Sequence, residues 1–405
     1  MSQEYPNPEL LNSIINEKHA QLIPILKEVD IDCWMIFVRE TASTPDPAME
    51  LVVGGDVVGQ SAFVFSLKDG VLTKTAIVAY FDENATRGKG LWDEVIGCKK
   101  GLAEPLQNLM KKLKPKKIAL NYSKTDVTAD GLSYGMWLIL QDILADYTDK
   151  FCSSTKIINA LRGRKTVTEV ELITKACELT EVINQSMAKK FQVGMSEFEV
   201  QEKFFEEMDA HGVGAAWQKQ GCPSVDAGPD KELGHDFPRK DLVIQKGHTL
   251  HNDFGVRLKG YCSDIQRMWY FGKYDEIPDE LHHAFDTVKE AILRASKVIK
   301  PGIQAYKVDK AARDYVIERG YEEYMHSLGH QVGKQAHDGG VNLGARWEIY
   351  KGKTDLPVEE NNVFTLELEV RTKHYGQVSL EEMIVVTKDG CRFLIPPQDK
   401  WITIE

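Results

Sequence analysis

The chain has 405 residues, 42% of them hydrophobic and 27% charged, a length and balance that suit a globular protein of two domains. A formal net charge of −11 argues against a nucleic-acid partner, because phosphate binding needs a clustered basic face. Seven cysteines without a Cys-x-x-Cys pair argue against a disulfide framework or a cysteine zinc site, and no stretch approaches the roughly eighteen apolar residues that cross a bilayer.

The first segment, MSQEYPNPELLNSIINEK, lacks the basic start and apolar core of a secretory signal, so the expected location is the cytoplasm, with free thiols and no membrane partner. Residues 8 to 29 read as an amphipathic helix. Strands are expected at Ile31 to Arg39, Ser61 to Ser66, Lys74 to Phe81 and Lys116 to Ser123, with helical runs near 101 to 113 and 130 to 148. This alternation predicts an α/β domain with a mixed sheet and no cluster of catalytic residues. The basic run KKLKPKK, from Lys111 to Lys117, reads as the solvated end of a helix.

Near residue 160 the polar basic link LRGRK gives way to a long helical pattern, which sets domains at 1–160 and 161–405. Helices follow over about 166 to 191 and from Ser196, whose hydroxyl with Glu199 three residues later forms a capping box. A third spans about 279 to 299, with Leu281, Phe285, Val288 and Ile292 on one apolar face. Gly194, Val200 and Gly212 recur as Gly302, Val308 and Gly320, 108 residues on, which points to two related halves.

Chemistry concentrates in the last third. In HNDFGVRLKGYCSDIQR, Asp253 and Asp264 lie on or beside two pairing strands, and a suitable register brings both carboxylates to one side. His330, Glu367 and Glu381 complete a set of four carboxylates and one neutral imidazole, which balances the four positive charges of two divalent cations and leaves a hydroxide as the charged nucleophile. Such cations lower the pKa of water far enough to supply hydroxide near neutral pH. Taken singly, an Asp at a strand end or a Gly-His pair is ordinary; the combination carries the signal.

These motifs resemble those of the pita-bread metallopeptidases, the family of methionine aminopeptidases, Xaa-Pro aminopeptidases, Xaa-Pro dipeptidases and creatinase. HNDFGVRLKGYCSDIQR resembles the family's Asp-Phe-Gly strand with a bridging Asp eleven residues on, and GHQVGKQAH its Gly-His-Gly-Ile-Gly segment with a second His seven positions later. VFTLELEV resembles its Phe-Thr-Ile-Glu strand, VSLEEMIVVTKDG its closing Glu strand, and the Arg-x-x-Lys-x-x-x-Glu phrase starting at Arg162 its domain junction. The likeness covers residues 160 to 405 well and the N-terminal portion loosely. It implies an N-terminal mixed-sheet creatinase-like α/β domain and a C-terminal pita-bread α+β catalytic domain, in a homodimer that acts on short peptides.

By the same resemblance, Asp253 chelates one metal, Asp264 and Glu381 bridge both, and His330 with Glu367 holds the second. Glu367 also shuttles protons, while His235 in GHDFP and His337 stabilise the substrate and tetrahedral intermediate. Oxygen-rich ligation with one histidine suits manganese, placed first, or cobalt, zinc or iron.

Three positions depart from the family pattern: Leu368 replaces a proline, Asp338 a glutamate, and Ser379 an arginine associated with the substrate's terminal carboxylate or with the site's stability. Arg371 is a candidate substitute, although a surface arginine is the commoner reading. Ser379 leaves strict dipeptidase specificity open. His251, two residues from Asp253 on one strand, reads as packing or a supporting hydrogen bond before a ligand. Cys262 reads as a buried thiol, His282 and His283 as exposed, and His326 and Trp217 as candidates for a pocket wall with packing as the alternative. The leading function is release of an N-terminal residue from short peptides, with proline second. The alternatives are a non-peptidase hydrolase or lyase on the same fold, disfavoured in its creatinase form by the complete ligand set, and an inactive binding module.

Overall fold

A computed structural model describes residues 2–229 and 237–405. The chain divides into two compact units, one formed by Asn7–Arg162 and the other by Gly163–Glu405 together with the first residues through Pro6.

The Asn7–Arg162 unit opens with α1 (Pro8–Glu28), where the Asn7 side chain accepts from the Leu10 amide and a proline fills the first turn. Strands β1 (Cys33–Val38), β2 (Ser61–Lys68), β3 (Val71–Ala79), β4 (Glu94–Cys98), β5 (Ile118–Leu120) and β6 (Phe151–Ser153) form a sheet in the order β4-β3-β2-β1-β5-β6. The β1/β2 and β2/β3 pairs are antiparallel and the rest parallel, so the sheet is mixed as expected. Helices α2 (Glu83–Gly88), α3 (Ala103–Leu113), α4 (Tyr134–Ile143) and α5 (Thr155–Gly163) complete the unit. The short β4 and β6 and helix α2 were absent from the sequence reading, and the expected polar link at Leu161 to Gly163 is the end of α5. Lys111, Lys112, Lys114, Lys116 and Lys117 are exposed at the end of α3 and beyond it.

In the second unit, α6 (Val167–Ala188) and α7 (Glu197–His211) both start with capping boxes, Thr166 with Glu169 and Ser196 with Glu199. They are followed by β7 (Gly214–Ala215), β8 (Ser224–Ala227), β9 (Thr249–Phe254), β10 (Val256–Leu258), β11 (Tyr261–Cys262) and β12 (Ile265–Phe271). After α8 (Asp279–Val298) and α9 (Ala305–Glu318) come β13 (Gly329–His330), β14 (Asn342–Leu343), β15 (Val363–Arg371), β16 (Gln377–Val386), β17 (Cys391–Phe393) and β18 (Ile402–Ile404). The main sheet runs β15-β16-β12-β9-β8, with β17 on β16 and β18 on β12. Residues of α6 and α7 pack on β8, β9 and β12 around Phe204, Phe254 and Trp269, while α8 and α9 pack on β15 and β16 around Leu281, Phe285, Leu366 and Leu380. The two halves anticipated by the 108-residue echo thus each carry a helix pair.

The first residues join this unit through backbone bonds, Gln3 with Gly212 and Lys259, and Glu4 with Gly260. Among the described residues no helix is long and apolar enough to cross a membrane, and all seven cysteines are free.

Candidate metal centre

Strand register builds the centre. Glu367 of β15 pairs with Glu381 of β16, Glu381 with Gln266 of β12, Gln266 with Asp253 of β9, and Asp253 with Ser224 of β8. Directly paired residues share a face with Cβ atoms ~5 Å apart, so these side chains form one row across the sheet. Asp264 sits just before β12, and its carboxyl meets that of Asp253. The glycine of Asp-Phe-Gly has a local reason: a Cβ on Gly255 would lie 2.0 Å from the Ser263 carbonyl oxygen, in the approach that sets Asp264 beside the row.

His330 reaches the row from β13, which runs along β15. The Glu367 amide donates to Leu328 O at 2.7 Å, and the His330 amide to Thr365 Oγ1 at 3.1 Å. A Cβ on Gly329 would fall 2.0 Å from Thr365 O, so the Gly-His pair allows a backbone approach that a side chain would block. His330 Nε2 then stands 3.3 Å from Glu367 Oε1 and 3.7 Å from Asp264 Oδ2. The His337 ring meets His330 edge-on at 4.2 Å between centroids. Its loop is closed by the Asp338 amide donating to Gln331 O at 2.8 Å, and by a buried ion pair of Asp338 with Lys165, also 2.8 Å.

Asp253, Asp264, Gln266, His330, Glu367 and Glu381 line a cleft of about 600 Å³ together with His337. Burial, then the charges of Asp253 and Glu367, holds the Asp264 carboxyl well above the usual carboxylate range. Burial, then Asp264, Glu367 and Asp253, does the same to Glu381. Burial also pushes Glu367 upward, but the hydrogen bond from His330 and the fields of His330, His326 and His337 outweigh it and leave the carboxyl below its ordinary value. Burial depresses His330, yet its hydrogen bond and charge contact with Glu367 raise it overall.

Such a site is short of positive charge. Glu381 Oε2 is buried with no hydrogen-bond partner among the described residues, and Asp264, His330 and Glu381 each present an atom within 4.8 Å of the others. Carboxylate oxygens around one imidazole are a donor set suited to divalent cations, and the residues fit that cargo.

Residues 171–388 match metallopeptidase family M24. The chain belongs to this family. It is similar to an Xaa-Pro dipeptidase of Pyrococcus furiosus, 29% identical over 239 residues, which is 59% of this chain and 64% of that protein. The chain therefore spans less than two thirds of that curated relative's length in the match. Among solved structures it resembles an X-Pro aminopeptidase from Thermotoga maritima, with 25% identity, TM-score 0.73 and coverage of 94% of this chain and 100% of the other. An Xaa-Pro dipeptidase from Bacillus anthracis, 23% identical with TM-score 0.75 over 96% and 99% of the two chains, shares the fold. M24 membership makes the fold a pita-bread metallopeptidase and implies divalent metal ions.

The fold brings Asp253, Asp264, His330, Glu367, Glu381 and His337 to one cleft, and His326 lines it as well. His235 lies outside the described residues. Trp217 packs against the α6/α7 core and donates from Nε1 to Gly221 O at 2.8 Å. His251 has supporting partners, Nδ1 at 2.9 Å from Asp226 Oδ2 and Nε2 at 3.0 Å from Gln266 Oε1. Burial depresses the His251 ring, and the hydrogen bond and charge of Asp226 raise it overall.

The departures also find places. Leu368 is fully buried on the opposite face of β15, in the α8 core, and Asp338 is the partner of Lys165. Arg371 is exposed at the end of β15 and is not among the described cleft-lining residues, whereas Ser379 lines the cleft. Cys262 is buried, His283 is exposed and donates to or accepts from Tyr321 Oη at 2.8 Å, and His282 is half-buried rather than exposed.

Sequence reasoning missed Gln266, Glu369 and Asp226. Gln266 sits two residues after Asp264 in SDIQR, and its alternation with Asp253 across the β9/β12 pair was the available signal. Asn342, Tyr350 and Lys353 complete a wall that sequence spacing did not indicate.

Proposed function

We propose that this chain is a dinuclear metallopeptidase that hydrolyses the N-terminal peptide bond of short peptides with proline in the second position. The observation that carries the reading is the row Glu367, Glu381, Gln266, Asp253, flanked by Asp264 and His330 within one cleft. Asp253, Asp264, His330, Glu367 and Glu381 would hold the two ions. Bound there, divalent ions supply an activated water and polarise the scissile carbonyl.

The chain's own groups do the rest. Glu367, whose carboxyl lies below its ordinary value, takes the proton from the attacking water and returns it to the leaving nitrogen. His337, edge-on to His330, is placed to donate to the oxygen on which negative charge develops, and His235 is assigned a matching role. The reading extends to domains at 1–160 and 161–405, to a cytoplasmic homodimer, and to manganese as the working metal ahead of cobalt, zinc or iron.

The test strips the protein of metal, restores Mn²⁺, Co²⁺ or Zn²⁺ separately, and measures release of the first residue from matched Xaa-Pro and Xaa-Ala di- and tripeptides. Metal-dependent cleavage restricted to Xaa-Pro peptides is the expected result. Two bound metals with no cleavage of any peptide would overturn the peptidase reading in favour of another reaction on this fold.

A further inference from the structure

Between Glu381 and Asp253 the row is occupied by a neutral side chain, Gln266. An amide has an acceptor end and a donor end, and its neighbours decide which way it points. Gln266 Oε1 accepts from Ser379 Oγ at 2.5 Å and stands 3.0 Å from His251 Nε2. The Ser379 hydroxyl also lies 3.1 Å from the Leu368 carbonyl, so its single proton is shared between the two oxygens. The amide nitrogen of Gln266 is directed at Glu367 Oε2, 3.3 Å away, where a carboxylate oxygen can only accept, and the Gln266 side chain also hydrogen-bonds Glu381. Reversing the amide would set its oxygen against that carboxylate oxygen, so Glu367 decides which way the amide points.

The histidine is itself held. Asp226 pairs with His251 across β8/β9, and its Oδ2 lies 2.9 Å from His251 Nδ1, which leaves Nε2 facing Gln266. Asp226, His251, Gln266 and Ser379 are 4%, 5%, 8% and 4% exposed, so water competes little for these bonds. The other oxygen of Glu367 faces His330 Nε2 at 3.3 Å and accepts from Thr365 Oγ1 at 3.3 Å. Glu367 is thus gripped from both sides.

We propose that Asp226, His251, Gln266 and Ser379 form a positioning network whose output is the Gln266 amide, holding the Glu367 carboxylate in its working orientation. A neutral donor suits the task, because it orients a carboxylate without cancelling the negative charge that cations and a proton both need. The network rests on the reading of Glu367 as ligand and proton shuttle, and it makes Gln266, His251, Asp226 and Ser379 positioning residues, since they act through Glu367. Removal of an outer partner of this kind typically costs ~10–100-fold in metal affinity or activity.

The test uses the full chain loaded with Co²⁺, whose visible absorption reports ligand geometry independently of turnover. Gln266→Met keeps the side-chain length and removes the hydrogen bonds of the amide; Gln266→Glu keeps the shape and replaces the donor with a second acceptor. Both are expected to shift the Co²⁺ spectrum and to lower kcat by ~10–100-fold with KM within about twofold. Ser379→Ala should cost several-fold in kcat, and Ser379→Thr should recover most of it, a rescue that general loosening of the fold would not produce. Thermal unfolding of each variant identifies any that fails to fold, in which case the other Gln266 variant decides.

A wild-type Co²⁺ spectrum and kcat in folded Gln266→Met would overturn the network while leaving the metal reading intact. If the wild-type chain takes up no Co²⁺, the metal reading falls and the network with it. If it takes up Co²⁺ but cleaves no peptide, the peptidase reading falls, and the Gln266→Met spectrum alone decides the network.

Discussion

The two large sheets of this molecule use their faces differently. In β1, Trp34, Ile36 and Val38 enter one apolar cluster with α1, while Cys33, Met35 and Phe37 enter another with α3 and α4. In β15, Phe364, Leu366, Leu368 and Val370 face the helical core, but Thr365, Glu367 and Glu369 alternate with them toward the cleft side. A sheet covered on both faces reads as a continuous apolar run, whereas one left uncovered on a single face keeps the period of two. Burying several carboxylates together is costly, and only a cleft that admits cations can use them. Among the described residues, the candidate carboxylate ligands lie on or beside the sheet whose second face stays polar.

The sharpest way to break this contrast is on the polar face itself. Asp264→Asn should abolish stable metal binding and lower peptide turnover roughly a thousandfold or more, read by metal analysis of the purified protein and steady-state kinetics. Intact metal content with intact activity would remove Asp264 from the ligand set.

On β15 the contrast can be tested one residue apart. Leu368→Ala should cost about 2–5 kcal/mol of stability in urea unfolding by opening a cavity under α8, with the Co²⁺ spectrum of the folded protein unchanged. Glu367→Gln should do the reverse, leaving stability nearly as it was and removing turnover. His337→Ala is expected to lower kcat by about a hundredfold with metal still bound, and simultaneous metal loss would reassign it as a support for His330.

The smallest effect concerns the doubly covered sheet. Burial drives the ring of His19 from 6.5 down to about 4, beside a hydrogen-bond contact of its Nε2 to Val52 O at 2.8 Å. Its contribution is present above 6.5 and lost as pH falls through 4, because the unfolded chain takes up the proton first. Burial raises Asp46 from 3.8 to about 6, so its contribution has the opposite sign, present below 3.8 and lost as pH rises through 6. The two offset one another over much of the same window. His19→Leu should therefore gain stability relative to wild type on acidification, by about 2 kcal/mol between pH 6 and 4.5 in denaturant titrations. An unchanged difference between the two proteins across that range would show that His19 is not held neutral by burial.

Legibility followed the range of the interactions involved. The capping box of Ser196 with Glu199 spans three residues, and the structure has it where the sequence suggests. The apolar stripe of α8 and the alternation of β15 are equally local patterns, and both elements follow them. Strands β4 and β6 escaped notice because they are short, and their existence depends on parallel neighbours, β3 and β5, rather than on any periodicity of their own. His251 was legible as a residue on the face of Asp253, but its tie to Asp226 was not, since that carboxylate arrives from β8, 25 residues earlier.

From the sequence alone come the fold class, the helix starts, the likeness to M24 and the residue types of a cation site, because capping, alternation and motif spacing are properties of neighbours along the chain. Tertiary structure decided the rest. Pairing register across β15, β16, β12 and β9 aligned Glu367, Glu381, Gln266 and Asp253 in one row, and a shift of one residue in any pair would have turned that strand's contribution to the opposite face. The closeness of Gly329 to Thr365, the Lys165–Asp338 pair behind the His337 loop and the bonds of Gln3 and Glu4 to Gly212 and to the turn between β10 and β11 each join positions tens to hundreds of residues apart. Contacts of that range exist only once the core has closed, and the partners of Glu367 are set by them.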